Sequence, residues 1–178
     1  MILNRQKQCA LNLPALRAHV RGVRRALRLG RRDFNLCLVS DREIRRLNAA
    51  FRALPRPTDV LSFPWHEAGE GSRLPSRALA DSRRRKRAQG PDGPAQAAFR
   101  GFLGDVVISV ETARRNARTE GHSTLNEIRW LVLHGVLHLL GYDHERDHGE
   151  MTRLELALRE KLGLSGSRTQ RRLKKQAK

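Results

Sequence analysis

The spacing of apolar positions changes several times along the chain, and each change predicts an element. Leu16, Val20, Val23 and Leu27 recur at helical spacing behind Pro14, which suits an early helical position, and the segment runs up to Gly30. "FNLCLVS" (34–40) alternates apolar residues and predicts a strand. It leads into Ser40 and Glu43, spaced as a capping box for a helix carrying Ile44, Leu47 and Phe51. "DVLSFPW" (59–65) predicts a second strand; Pro64 cannot donate to a ladder, so it marks an edge position or a strand end. "FLGDVVISV" (102–110) is almost continuously apolar and predicts a central strand. "ETARRNARTEG" then reads as a short basic helix closed by Gly121. "STLNEIRWLVLHGVLHLLG" opens with Thr124 and Glu127 in capping-box register and stops at Gly141, and its apolar density predicts the central buried helix. An amphipathic helix from about residue 147 to 162 follows, and the opening "MILNRQ" is read as a short edge strand.

Strands and helices are interspersed without an internal repeat, which predicts an α+β (mixed α/β) fold. The expectation is a single compact domain over residues 1–164, with a small mixed sheet of about four strands packed by about five helices. Between residues 67 and 100 periodicity gives way to Gly, Pro, Ser, Ala and Arg, so this stretch is expected to be a flexible basic insertion, not a second domain. Residues 165–178 are expected to form a basic disordered tail.

Charge adds a partner class to this picture. Lys and Arg number 36 against 18 Asp and Glu, a net charge of +18 with pI near 11.6. The insertion carries eight basic and four acidic residues and the tail six basic and none acidic, so the remaining body keeps a net +8. Such a chain favours polyanions, with nucleic acid or an acidic membrane surface as the main candidates. Aromatic residues are only 4% of the chain, so no base-stacking platform is expected. Cys9 and Cys37 form no CxxC pair and read as small buried hydrophobes of a reducing compartment. The N-terminus lacks a signal-peptide apolar run and no stretch is long enough for a membrane span, so a soluble, cytoplasmic protein is expected.

The chemistry concentrates in "HGVLHLLGYDH". His134 and His138 are four residues apart on the central helix and share a face about 6 Å apart along the axis. Gly141 lets the chain turn so that His144 can reach the same point. Three imidazoles with one position left open describe a catalytic zinc site, one ion per chain. Two histidines inside a leucine-rich helix need hydrogen-bond partners or a metal, and the metal explains both. In zinc peptidases of related spacing the residue after the first histidine is Glu, the general base; here it is Gly135, which cannot take a proton. A bound zinc would still lower the pKa of a water toward 7 and act as a Lewis acid.

This segment resembles the signature of the YbeY family, bacterial metal-dependent endoribonucleases of rRNA maturation. "SDREIRRLNAAFRALPRPTDVLSFP" (40–64) resembles the family's other diagnostic block, and "LGDVVIS" (103–109) its central strand. The resemblance implies zinc held by His134, His138 and His144, with His134 counted in the catalytic set. It implies cleavage of single-stranded RNA, maturation of the 3′ end of small-subunit rRNA, and a part in ribosome quality control. The implied partners are single-stranded RNA, pre-rRNA and the ribosomal small subunit, with no membrane or DNA. The family's functional arginine falls at Arg52, where a guanidinium could clamp the phosphate oxygens as charge builds on them. The connection between "LSFP" and "LGD" is longer than usual for the family; its "RRRKR" run (83–87) would add RNA affinity or remain solvated.

Two other readings stand beside this one: a zinc hydrolase of peptides or another ester, and a non-catalytic ribosome assembly factor with structural zinc. Ser62 and Tyr142 are candidate substrate contacts, and Thr58 and Asp59 either line the cleft or form the turn that starts the strand. Asp143 is either an outer partner of the metal site or a turn cap. His19, His66, His122 and His148 are read as surface histidines, and Met151 as a core residue.

Overall fold

A computed structural model describes residues 1–65, 101–143 and 148–164. The expected insertion, the expected tail and His66, His144 and the "RRRKR" run fall outside the described residues.

The chain order is β1 (Ile2–Asn4), α1 (Leu13–Ala26), β2 (Asp33–Val39), α2 (Asp41–Arg52), β3 (Val60–Pro64), β4 (Phe102–Ser109), α3 (Val110–Glu120), α4 (Thr124–Leu139) and α5 (Glu150–Lys161). The described residues thus form a four-stranded mixed sheet with five helices, the expected α+β architecture. Strand order is β1-β2-β4-β3; β1, β2 and β4 run parallel and β3 is antiparallel to β4. Pro64 therefore ends an edge strand, and residues 102–109 of the expected apolar run form a central one, with Val110 already opening α3.

The alternation within the strands sorts side chains onto two faces. Leu36 and Leu38 of β2 and Val106 and Ile108 of β4 join the main core, closed by α1, α4 and α5. Cys37, Val39, Val107, Leu61 and Phe63 point to the opposite face, where Ile44 and Leu47 of α2 cover them. The two layers explain the different helix sequences: α2 buries a narrow stripe, whereas α4 buries ten of its residues and is apolar almost all round. Cys9 and Cys37 are half-buried at the margins of these two cores. No helix among the described residues is long and apolar enough to cross a membrane.

Several local expectations shift. The first helix stops at Ala26, before Gly30, because Arg28 takes a left-handed conformation (φ 51°). Ser123, one residue before Thr124, caps α4 by accepting from the Asn126 amide. Glu127 is turned inward instead, toward His122. Ser40 does cap α2 by accepting from the Glu43 amide, while the Glu43 carboxylate pairs with Arg5 at 3.1 Å. Phe51 is not a core residue of α2: it is exposed and sits edge-on to Phe63.

His19 and His122 are not surface histidines. His19 is buried and its Nε2 donates to the Arg129 carbonyl at 2.9 Å, tying α1 to α4. Burial lowers its pKa from 6.5 to about 4, and the Arg129 charge adds to that against the backbone hydrogen bond. The His122 side chain is buried against Trp130, with ring centroids 4.3 Å apart. Its Nε2 lies 3.1 Å from the Glu127 carboxylate. His148 is exposed and Met151 lies in the core, both as expected.

Candidate metal centre

His134 and His138 project from the last turns of α4, the negative end of the helix dipole, where a cation is favoured. Their Nε2 atoms face each other at 3.1 Å, and the rings meet edge to face with centroids 4.7 Å apart. One shared proton or one shared cation satisfies two ring nitrogens at that separation. Two nitrogens bound at about 2.0–2.1 Å to one tetrahedral zinc ion lie about 3.3 Å apart, so the pair fits such an ion with little adjustment.

The chain then turns as the glycine requires. Gly141 adopts φ 90°; its amide donates to the His138 carbonyl at 3.0 Å and the Tyr142 amide to Leu137 at 3.1 Å. These two bonds form a Schellman end that reverses the chain immediately after the second histidine. His144 is three residues further on, outside the described residues. Among the described residues no three His, Cys, Asp or Glu side chains are gathered as a metal set.

Behind the pair stands Glu155 of α5, which the sequence reading missed. Its Oε2 lies 3.4 Å from His134 Nδ1, and its Oε1 accepts from Arg159 at 2.6 Å. Burial pushes the Glu155 pKa up, but the His134 contact and the Arg159 charge outweigh it and hold the carboxyl below its usual range. Arg159 is in turn seated over the Trp130 ring at 4.8 Å. A carboxylate on Nδ1 favours the tautomer that turns the Nε2 lone pair toward the facing ring, as outer partners of metal-bound histidines do. The only sequence signal was an acid on the inner side of an amphipathic helix, which periodicity alone assigns to a margin.

Gly135 has a packing reason. A Cβ there would lie 2.6 Å from Val106 Cγ1 and 3.1 Å from Ser62 Oγ. The helix backbone rests directly on the sheet, so any side chain at 135 would be driven into β3 and β4, away from the histidines. Ser62 Oγ donates to the Gly135 carbonyl at 3.1 Å, fixing the edge strand against the histidine helix. Asp59 and Thr58 hold the start of that strand: Asp59 Oδ1 accepts from the Val60 amide at 2.9 Å and from Thr58 Oγ1 at 3.2 Å, while Oδ2 accepts from Asn116.

The remaining expected residues stand around this centre. Arg52 is exposed at the end of α2, on the face of the sheet opposite the histidine helix. Asn48, which the sequence reading did not single out, holds the turn that follows it. Its Nδ2 donates to the Arg56 carbonyl at 2.8 Å, its own carbonyl accepts from Leu54, and Ala53 takes a left-handed conformation (φ 57°). Tyr142 is exposed and Asp143 half-buried just past the helix.

A family model described as endoribonuclease YbeY matches residues 1–163. Curated proteins named endoribonuclease YbeY are similar along much of the chain. The Nautilia profundicola protein is 42% identical over 136 residues, covering 76% of each chain. The Koribacter versatilis protein is 36% identical over 181 residues, covering all of this chain and 97% of its own. A solution structure of a Thermotoga maritima protein superposes with a TM-score of 0.55 at 25% identity, covering 91% of this chain and 89% of its own.

Proposed function

Because the chain belongs to the YbeY family of endoribonucleases, we propose that it is a zinc-dependent, single-strand-specific ribonuclease acting in the cytoplasm on the 3′ end of small-subunit rRNA and in ribosome quality control. Family membership makes it a hydrolase of RNA phosphodiesters; the metal, the strand preference and the ribosomal substrate are the proposal. The observation that carries it is the pair of Nε2 atoms facing at 3.1 Å with a carboxylate behind one ring.

His134, His138 and His144 would hold one zinc ion. When bound, the ion supplies Lewis acidity toward the scissile phosphate. Glu155 fixes the His134 ring, and Ser62 fixes β3 against α4 so that the edge of the site does not shift. Arg52, with the turn after it held by Asn48, is assigned to the non-bridging oxygens, where two N–H groups of one guanidinium meet the charge that grows in the transition state. Tyr142 and Ser62 border the path of the strand. Gly135 weighs against a peptidase: the helix contacts the sheet there, so a general base cannot occupy that position.

The test combines metal analysis with cleavage of single-stranded and duplex RNA. His138→Ala should lose zinc and cleavage together. Arg52→Ala should keep zinc and lose most cleavage, and loss of zinc from that variant would make Arg52 structural. A folded, zinc-loaded protein that cuts no RNA would instead favour the assembly-factor reading.

A further inference from the structure

A cluster of aromatic rings lies at the β3 edge, away from the histidines. Four of the chain's eight Phe, Trp and Tyr residues gather there. Phe51 stands edge-on to Phe63 with ring centroids 5.0 Å apart, and Trp65 stands edge-on to Phe102 at 6.1 Å. Phe63 and Trp65 are two residues apart, and the Trp65 amide extends the ladder by donating to Leu103 at 2.9 Å, so both belong to the same face of the edge strand. Phe51 is 55% exposed, Trp65 44% and Leu54 41%. Phe51 is the most exposed aromatic side chain among the described residues, although aromatic residues are scarce in this chain.

Charge identifies the occupant. Between Ile44 and Thr58 lie Arg45, Arg46, Arg52 and Arg56, all exposed, and no carboxylate. An apolar protein partner calls for no such one-sided rim, whereas a polyanion whose monomers carry flat rings matches both features. Bases stack on exposed aromatic faces while guanidinium groups meet the phosphates.

We propose that Phe51, seated on Phe63 with Trp65 alongside, is a stacking platform for the bases of single-stranded RNA. The proposal rests on the ribonuclease reading and assigns that site its grip on the strand. Ser62 and Phe63 are neighbours in β3: the Ser62 hydroxyl bonds Gly135 on the histidine helix, and the Phe63 ring meets Phe51 on the other face. Platform and histidine helix therefore contact opposite faces of the same edge strand. A few nucleotides passing over this edge would place stacked bases on one side and a phosphate at the histidines on the other. Duplex RNA keeps its bases stacked on one another and cannot offer them, which gives a physical source for strand preference.

The experiment measures binding of the full chain to a single-stranded RNA and to an abasic strand of equal length and charge. The wild type should prefer the base-bearing strand by roughly tenfold or more, the value of one good base–aromatic stack. Phe51→Ala should bind both strands alike at the abasic affinity, with its zinc content unchanged, and Phe51→Tyr should restore the preference. Tryptophan emission should be quenched by the base-bearing strand only, and that quenching should vanish in Trp65→Phe. If Phe51→Ala keeps the full preference while the wild type binds and cuts single-stranded RNA, the platform is refuted and the ribonuclease reading stands. If the Phe51 variant loses capture of another protein but binds RNA as before, the patch serves that protein and the platform is equally refuted. If the wild type neither binds nor cuts single-stranded RNA, both fail together.

Discussion

Replacing Gly135 by alanine sets two well-measured effects against each other. In a helix interior alanine is favoured over glycine by about 1 kcal/mol, so propensity alone predicts a more stable protein. The position forbids that gain, because the new Cβ would lie 2.6 Å from Val106 Cγ1 and 3.2 Å from Val106 Cγ2. Val106 is fully buried in a central strand, and the obstacle is the stem of a branched side chain that cannot swing aside. Overpacking of this kind costs about 1–3 kcal/mol. A contact this short against a branched side chain belongs in the upper half of that range, about 2–3 kcal/mol, so subtracting the propensity gain leaves a net loss of about 1–2 kcal/mol, or a fall in Tm of roughly 3–6 °C for a domain of this size. Chemical denaturation of wild type, Gly135→Ala, Val106→Ala and the double variant measures it. The two substitutions should couple favourably by about 0.5–3 kcal/mol, because removing the Val106 methyls makes room for the new one. Gly135→Ala protein as stable as the wild type, or more so, would refute the close-contact account. It would also reopen the question of why no acid follows the first histidine.

Other outcomes follow from the site and the core. Glu155→Gln should weaken zinc binding by roughly 10–100-fold in a chelator competition, with little change in fold, since it removes the charge behind His134; unchanged affinity would reduce Glu155 to a packing residue. His19 has a folded pKa of about 4 against 6.5 unfolded, so the unfolded chain alone takes up that proton as pH falls between those values. Its contribution to stability is present above about pH 6.5 and is lost progressively toward pH 4, about 3 kcal/mol in all. His19→Gln should therefore flatten the pH dependence of denaturation in that window, and an unchanged slope would contradict the burial of the ring.

The elements were legible because their periods are unmixed: continuous apolar residues in β4, alternation in β2, and a solid apolar run in α4. The facing histidine pair was legible from a four-residue spacing closed by Gly141. The residues that escaped do their work across the fold. Glu155 meets His134 only after α5 docks on α4, and nothing in the local pattern around 155 announces that partner. His122 looked solvated because it flanks a glycine turn, yet Trp130 two turns into α4 folds back over it. Phe51 erred the other way: its spacing from Ile44 and Leu47 placed it on the inner stripe of α2, but the helix is ending there and the sheet edge beneath is already occupied by Phe63.

The histidine helix owes its position to ten buried neighbours in its own sequence and to a stacked Trp130–Arg159–Glu155 brace, none of which is a metal ligand. A scaffold that supports itself in this way keeps its shape whether or not the proposed ion is bound. On that reading, loading would be a reversible step governed by supply, and a cell short of the ion would hold a reserve of intact, silent protein that wakes as soon as the ion returns.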